Sequence, residues 1–407
     1  MKFNKNVNLL LSGQTLANIG DILYIVSVIS SIYKHTGSAA MSSIVPFTIT
    51  TSMFISSLLT PMLIGRMDLK CLLVGSQIGK TMMLAILAFF LISLLNEQTV
   101  FIIFPIISVI ALLDGCANPI RYSILPYYVK KEDLLQANGV IEAVTQTVQM
   151  GMWFAGSLLL ISIGEEKLVW IVFGLFSISS YLLARLSQVE QVPTTNSMNW
   201  HQISEGWKTL SRMLVLKAMT WIDIFDTLAS SVWIAAILYV YVEEVLQQSE
   251  QWWGYLNGSF FAGLIAGSIF CVRNSTFVEK HVRLFIVLGS IGSFAATFLF
   301  SLTNIPLLIL GLSASMGLFG QFKNIPQNTI IQLSVSKETL PKVYSAFGAI
   351  ETGIFGVSSL LMGILAEYAG VRSAFLLSAF LLAVVCIIVV KNQHKFVLGD
   401  MKKGEEG

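Results

Sequence analysis

Long apolar stretches, separated by short polar segments, run through almost the whole chain. About 20 residues span the hydrocarbon core as a helix, and roughly twelve of the stretches reach that length. The period-two alternation of apolar and polar residues that strands would show is absent. We therefore predict an all-α membrane protein with about 12 transmembrane helices. The expected spans are 7–33, 41–64, 71–94, 100–122, 137–163, 168–187, 216–243, 252–272, 283–303, 305–333, 343–367 and 372–391.

The composition excludes several other classes of protein. Of the 407 residues, 55% are hydrophobic and 12% are charged, against roughly 25% charged in typical soluble domains. A soluble fold with this composition would expose a large apolar patch to water. The net charge of +2 is too small for a surface that follows nucleic-acid phosphates. We expect the protein to lie in membrane lipid and not to bind nucleic acid.

Lysine and arginine residues in the polar segments predict the orientation of the spans. With the N-terminus inside, the inside segments hold most of these residues, including Arg66 and Lys131. The outside loops hold only Lys34, Lys167 and Arg372. Because cytoplasmic loops carry the excess of positive charge, both termini are predicted to be cytoplasmic.

The longest polar segment, 188–215, separates the sixth and seventh spans. It opens with the linker-like stretch 191–196, which contains Pro193. A set of apolar residues then recurs at intervals of three and four, which predicts an amphipathic helix. This helix is expected to lie on the inner leaflet, to pack between two halves of the protein, or to do both. The apolar positions are Trp200, Ile203, Trp207, Leu210 and Leu214.

Several sequence elements recur about half a chain apart. Lys131-Glu132 returns as Lys337-Glu338, and Glu142 returns as Glu351. An offset near half the chain is typical of transporters built from two duplicated bundles. We therefore predict two pseudo-symmetric six-helix bundles. The expected division is an N-terminal bundle at 1–187, a cytoplasmic linker with the amphipathic helix at 188–215, a C-terminal bundle at 216–391 and a cytoplasmic tail at 392–407.

Short motifs are spread over both halves: Gly20-Asp21, 36–39, 119–126, 134–138, Pro326 with Gln332, and 363–367. Together they resemble the major facilitator superfamily, and within it the drug:proton antiporter branch of macrolide efflux proteins and siderophore exporters. The resemblance implies a monomeric transporter in a bacterial inner membrane. It also implies that the first, fourth, seventh and tenth spans line a central cavity.

One loop departs from the pattern of this family. Where the family usually has Gly-x-x-x-Asp-Arg between the second and third spans, this chain has Pro61 at the glycine and Gly65 at the acid, and it keeps Arg66. In the family this loop forms a cytoplasmic charge latch. The resemblance therefore implies a gating or interface role for Arg66, with Asp68 as the acid. The same role is expected for Arg121, Glu142 and Glu351.

Four charged residues fall inside predicted spans that the resemblance assigns to the cavity. Asp21, Asp114, Asp226 and Lys323 lie in the first, fourth, seventh and tenth spans. A charge at mid-bilayer costs roughly 2.5–3.5 kcal/mol on insertion scales, so such residues usually face a cavity or a partner. They are the candidate residues for proton coupling or for lining the substrate cavity.

Structural alternatives stay open for these residues. Asp114 could pair with Arg121, and Lys323 could extend toward the interface or pair with Glu351. Asp223 lies one turn before Asp226, close enough to the surface to be solvated. Lys80 belongs to a span that the resemblance makes peripheral, and it is expected to be structural.

The function expected from these features is secondary active export. No phosphate-binding loop and no nucleophile–base motif occurs in the sequence, so we expect neither an enzyme nor a bound cofactor or metal. A carboxylate taken out of water can carry a proton, which favours antiport of protons against an amphipathic small molecule such as a drug, a macrolide or a siderophore-like metabolite. A lipid flippase or scramblase and a solute uptake symporter are the alternatives.

Overall fold

The computed structural model describes residues 4–64, 66–96, 98–189, 200–233, 235–249 and 251–397. This part of the chain is almost entirely helical and contains no strand. Its α-helices are α1 (Lys5–Thr36), α2 (Ala39–Leu59), α3 (Leu69–Ser93), α4 (Ile103–Tyr128), α5 (Leu134–Ile163), α6 (Glu165–Ala184), α7 (Trp200–Arg212), α8 (Leu214–Ser230), α9 (Ala235–Tyr241), α10 (Gln251–Arg273), α11 (Ser275–Lys280), α12 (Val282–Leu302), α13 (Pro306–Ser334), α14 (Leu340–Ala369) and α15 (Val371–Asn392).

The long helices confirm the predicted all-α membrane architecture. Among the described residues, eleven helices reach 20 residues or more, and α8 with α9 supplies a twelfth segment at the predicted seventh span. Within the described ranges, nine helices are apolar and long enough to cross a membrane by length and composition, or ten if the bent pair α8–α9 counts as one span. Polar residues crowd the first half of α5 and the second half of α13, and neither helix is among the nine.

The seventh span is broken, although the sequence predicts it as one helix. The chain bends by 53° between the segments Leu214–Trp233 and Ile237–Leu246, and a 3₁₀ turn covers Ser231–Trp233. At the break, the Ser231 hydroxyl donates to the carbonyl of Leu228 at 2.9 Å. Serine side chains that bond back to the helix backbone compete with its own hydrogen bonds and commonly bend it.

Two compact units make up the chain, and each takes one segment from the other repeat. Unit 1 comprises Met1–Val129, Val148–Trp207 and Lys337–Thr352; unit 2 comprises Lys130–Thr147, Lys208–Ser336 and Gly353–Gly407. The division of the chain predicted from the sequence, with boundaries after residues 187, 215 and 391, remains a prediction.

Both units use the same pattern of helix packing. In unit 1, α1 packs on α6, α3 packs on α4 and α6, and α2 packs on α4. In unit 2, α8 packs on α15, α12 packs on α13 and α15, and α10 packs on α13. The contacts of unit 2 repeat those of unit 1 when α8, α10, α12, α13 and α15 are taken as the counterparts of α1, α2, α3, α4 and α6. This repetition is expected for the two pseudo-symmetric bundles.

The exchanged segments are held by specific contacts within their units. In unit 2, the Asn138 side chain donates to Gln332 Oε1 at 2.7 Å and to Thr329 Oγ1 at 3.1 Å. In unit 1, the Tyr122 and Tyr344 rings stack with centroids 5.4 Å apart. The first turns of α5 and α14 are therefore bound to helices of the other repeat.

The predicted amphipathic helix is α7. Glu205 accepts a hydrogen bond from Lys342 Nζ at 2.6 Å, and a Cβ on Gly206 would collide with the Lys342 carbonyl. In unit 1, α7 therefore packs on the start of α14. The linker at 190–199, Gly65 and the tail from 398 onward lie outside the described residues.

Glycines bring α10 and α13 into close contact. A Cβ at Gly263 would collide with the carbonyl of Ala314, and one at Gly267 would lie 2.7 Å from the carbonyl of Leu318. From the opposite side, a Cβ at Gly317 would collide with the carbonyl of Phe260. Small residues at such crossings allow two backbones to approach within a membrane.

We predict that Gly263→Ala destabilises the protein by about 1–3 kcal/mol, because the added methyl group must push α10 and α13 apart. The thermal unfolding temperature of the purified protein in detergent would measure the loss. Gly258→Ala is the matched control in the same helix, since a Cβ there meets nothing within 4 Å. Equal unfolding temperatures for the two variants would contradict the proposed contact.

Candidate functional site

The lysine at the middle of α3 joins two carboxylates from neighbouring helices. Lys80 Nζ lies 2.8 Å from Asp21 Oδ1 on α1 and 2.6 Å from Asp114 Oδ1 on α4. The Lys80 side chain is 1% exposed, and the two acids are 22% and 26% exposed. We call these three residues the acid–lysine cluster.

The acid–lysine cluster contains one carboxylate more than it has cations. Burying a lysine is costly unless acids compensate it, and here two acids share one ammonium group. When both carboxylates are ionised, the three residues carry a surplus of one negative charge. A proton on either acid makes the cluster neutral and leaves the other acid paired with Lys80. The arrangement can therefore bind and release one proton without leaving the lysine unpaired.

A glycine stands beside each charged residue of the cluster. Gly20 precedes Asp21, Gly79 precedes Lys80 and Gly115 follows Asp114. Each glycine meets a neighbouring helix closely: a Cβ would collide with Phe176 at Gly20, lie 2.9 Å from Leu113 at Gly79 and lie 2.8 Å from Ser56 at Gly115. The absence of a side chain at Gly79 lets α3 approach α4, whereas Gly20 and Gly115 let α1 approach α6 and α4 approach α2.

Sequence reasoning did not identify the partners of Lys80. Its span was expected to be peripheral and its role structural, yet Lys80 is the residue that joins Asp21 to Asp114. Two signals were available: two acids within the membrane require a cation, and the pair Gly79-Lys80 echoes Gly20-Asp21 in the sequence. The alternative pairing of Asp114 with Arg121 is wrong, because Asp114 pairs with Lys80.

Unit 2 contains a smaller charged site. Lys323 of α13 donates a short hydrogen bond to Asp226 of α8. The lysine side chain is 2% exposed and the acid is 25% exposed. A Cβ on Gly289 of α12 would lie 2.9 Å from the Lys323 Cβ, so α12 approaches α13 closely here. This pair is neutral, unlike the cluster of unit 1. The proposed pairing of Lys323 with Glu351 stays a prediction.

Arg121 lies on the same side of α4 as Asp114. Its Nη1 donates to Gln14 Oε1 at 3.1 Å and to Asn18 Oδ1 at 3.4 Å, both on α1. Its guanidinium carbon lies 5.4 Å from the ring centroid of Tyr122. Arg121 therefore bonds to two neutral amides, while Asp21 and Asp114 bond to Lys80.

The other residues predicted for gating lie apart from the charged sites along the chain. Arg66 is exposed in the loop before α3, and Asp68 occupies the N-cap position of α3 without a side-chain cap bond. Glu142 on α5 accepts a hydrogen bond from Gln146 at 3.2 Å. Glu351 on α14 is exposed. A gating role for these residues remains a prediction.

Comparison with known proteins finds a family model and two bacterial relatives that are similar to this chain. Residues 246–395 match the family model described as Major Facilitator Superfamily. The uncharacterized MFS-type transporter YjbB of Bacillus subtilis is 28% identical over 389 residues, which are 95% of each chain. Another, YfmI of the same organism, is 27% identical over 382 residues, or 93% of this chain and 94% of the relative.

A solved structure shares the fold at low sequence identity. The fucose:proton symporter FucP of E. coli superposes with a TM-score of 0.73 at 15% identity, over 95% of this chain and 98% of the symporter. The chain is therefore similar to transporters of the major facilitator superfamily over most of its length, and it shares the fold of one of them.

Proposed function

We propose that the protein is a secondary active exporter of small amphipathic molecules, driven by proton antiport and alternating access. The observation that supports this best is the surplus carboxylate of the acid–lysine cluster. Either a proton or a cationic group of the cargo can neutralise that charge, but not both at once. Mutually exclusive occupancy is the requirement for exchange. The cargo would be a drug, a macrolide or a siderophore-like metabolite.

A proton gradient that is acidic outside favours this direction of exchange. The membrane potential, negative inside, adds about 2.3 kcal/mol per 100 mV for each net positive charge that enters, which in a 1:1 exchange requires a cargo without net charge. If the proton binds Asp21 or Asp114 from the outer side, it displaces the cargo there. Release of the proton to the cytoplasm restores the surplus charge and prepares the cluster for the next molecule.

The pair Lys323–Asp226 has a different role in this proposal. Because it is neutral, taking up a proton on Asp226 would leave Lys323 as an unpaired cation with little contact with solvent. We assign the pair to the lining of the substrate cavity and the exchangeable proton to the acid–lysine cluster. Arg66, Asp68, Glu142 and Glu351 are proposed to act at the cytoplasmic gate.

Two alternatives make different predictions about coupling. An uptake symporter, such as the fucose:proton symporter whose fold the chain shares, would carry cargo and proton in the same direction. A lipid flippase or scramblase would not respond to a pH gradient. The direction of flux in inverted membrane vesicles separates these three functions.

Neutralising either acid of the cluster is expected to abolish coupling. In Asp21→Asn or Asp114→Asn the surplus charge is gone, so a pH gradient can no longer drive exchange. We expect accumulation of the dye rhodamine 123 in inverted vesicles with an acidic lumen to fall at least about tenfold, as for loss of a charge-assisted interaction. Glu132→Gln, at an exposed loop position, serves as the control. Undiminished, gradient-dependent accumulation in both variants would refute the proposed site.

The two charged sites should differ in their tolerance of substitution. Asp226→Asn leaves Lys323 buried without its acid, at a cost of about 3–5 kcal/mol, whereas Asp114→Asn leaves Lys80 paired with Asp21 and should cost much less. The double variant Lys323→Met with Asp226→Asn should recover part of the loss. Thermal unfolding of the purified variants measures these effects. A smaller loss for Asp226→Asn than for Asp114→Asn would contradict the charge count.

The proposed orientation can be tested with a native cysteine. Cys71 is exposed in the first turn of α3, which we place on the cytoplasmic side. A membrane-impermeant maleimide should therefore label it in inverted vesicles and not in intact cells. The control is Gln98→Cys in a Cys71→Ser background, at an exposed position before α4, which should show the opposite pattern. Labelling of Cys71 in intact cells would reverse the proposed orientation.

A further inference from the structure

Polar residues form a continuous strip along the facing sides of α1 and α4. Gln14, Asn18 and Asp21 lie on one side of α1, at spacings of four and three residues. On α4, Asp114 and Arg121 are two turns apart. Asp21 meets Asp114 through Lys80, while Gln14 and Asn18 meet Arg121. The strip therefore joins the acid–lysine cluster at one end to Arg121 at the other.

The Arg121 end of the strip offers only hydrogen-bond donors. A guanidinium group has five N–H donors and no acceptor, so the amide oxygens of Gln14 and Asn18 must face it. Their amide nitrogens then take no part in the contact with the guanidinium group. Within the part of the chain that the structure describes, these two nitrogens and Arg121 Nη2 and Nε have no hydrogen-bond acceptor from the protein. All three side chains are half-buried, so they are accessible to a small molecule.

A cation with surplus donors in a membrane-spanning helix requires an acceptor. An arginine that faced lipid would carry a high cost in free energy, and charged residues in membrane spans usually face a cavity or a partner. The acid–lysine cluster does not supply the acceptor, because its two acids bond to Lys80. Arginine binds carboxylates and other oxyanions through two parallel N–H bonds. The missing partner is therefore an oxyanion.

We infer that Arg121, Gln14 and Asn18 form an oxyanion subsite and that the transported molecule carries a carboxylate or a comparable oxyanion, an inference that rests on the transport function proposed above. Arg121 donates to the oxyanion with its remaining N–H groups, and the two amide NH₂ groups complete the donor set. The amides also hold the guanidinium group in a fixed direction. Arg121 is thus a residue that determines which cargo is accepted.

The length of the strip sets the shape of the preferred cargo. Seven residues along α4 separate Asp114 from Arg121, a rise of about 10 Å. The surplus negative charge lies at one end of this distance and the cationic subsite lies at the other. A molecule with a basic group and an acidic group about 10 Å apart can satisfy both ends. The cargo expected from this arrangement is an amphoteric, amphipathic molecule.

A matched pair of dyes tests the subsite. Rhodamine 110 carries a free carboxylate, and rhodamine 123 is its methyl ester, so the two differ only at the oxyanion. Fluorescence anisotropy would measure binding of each dye to the purified protein in lipid nanodiscs. We expect the wild-type protein to bind rhodamine 110 more tightly by about tenfold or more, the usual contribution of a charge-assisted hydrogen bond.

Substitution of the arginine should remove that preference. Arg121→Gln is expected to weaken binding of rhodamine 110 to the level of the ester while leaving rhodamine 123 unchanged. Arg121→Lys, which keeps the positive charge but lacks the planar guanidinium group, should give an intermediate preference for rhodamine 110. Arg185→Gln is the control, because Arg185 is exposed and bonds to Tyr181. Gln14→Met, which removes one amide and keeps the charge, provides a second variant if Arg121→Gln does not fold.

The results that would overturn the inference are specific. One is a wild-type protein that binds rhodamine 110 no more tightly than its ester, or does not bind it. Another is an Arg121→Gln variant that loses both dyes equally, since that would indicate a structural bridge between α1 and α4. Binding is measured at equilibrium without a pH gradient. A carboxylate preference with no gradient-driven export would therefore refute the antiport function and leave the subsite standing.

Discussion

Charge placed inside a membrane must be compensated within the protein, and this constraint governs the arrangement of unit 1. Lys80 is almost completely buried, and its Nζ lies within 3 Å of an oxygen of both Asp21 and Asp114. Meeting that requirement brings α1, α3 and α4 together at one level. Gly79 lets α3 approach α4 at this level, and the surplus acid gives the site its capacity for a proton. Architecture and proposed chemistry thus depend on the same ion pairs.

The two repeats meet the same constraint in different ways. Both place an acid on the first helix of the bundle, Asp21 on α1 and Asp226 on α8. The cation comes from α3 in unit 1 and from α13 in unit 2, where the packing of Gly289 brings α12 against Lys323. The common helix pattern is retained while the charge balance differs. We therefore propose that one repeat exchanges the proton and that the ion pair of the other lines the substrate cavity.

Much of the fold and of the charged sites could be predicted from the sequence, and the features that were missed were missed for physical reasons. Apolar length predicted the helices, and the charged residues proposed for the cavity all lie in ion pairs. The partners could not be predicted, because a helix that is apolar on all sides does not reveal which face meets its neighbour. The partners of Lys80 were therefore missed. The break near Ser231 was also missed, since a hydroxyl that bonds to its own helix leaves no trace in hydropathy.

The glycine beside Lys80 has a consequence for how this sequence can change over time. A larger residue at Gly79 would push α3 away from α4 and lengthen the ion pair between Lys80 and Asp114, so this glycine should tolerate replacement only if the lysine is also lost. Gly79 and Lys80 are therefore expected to vary together. Natural variants that give up Lys80 should be free to fill Gly79, whereas those that retain the lysine should not.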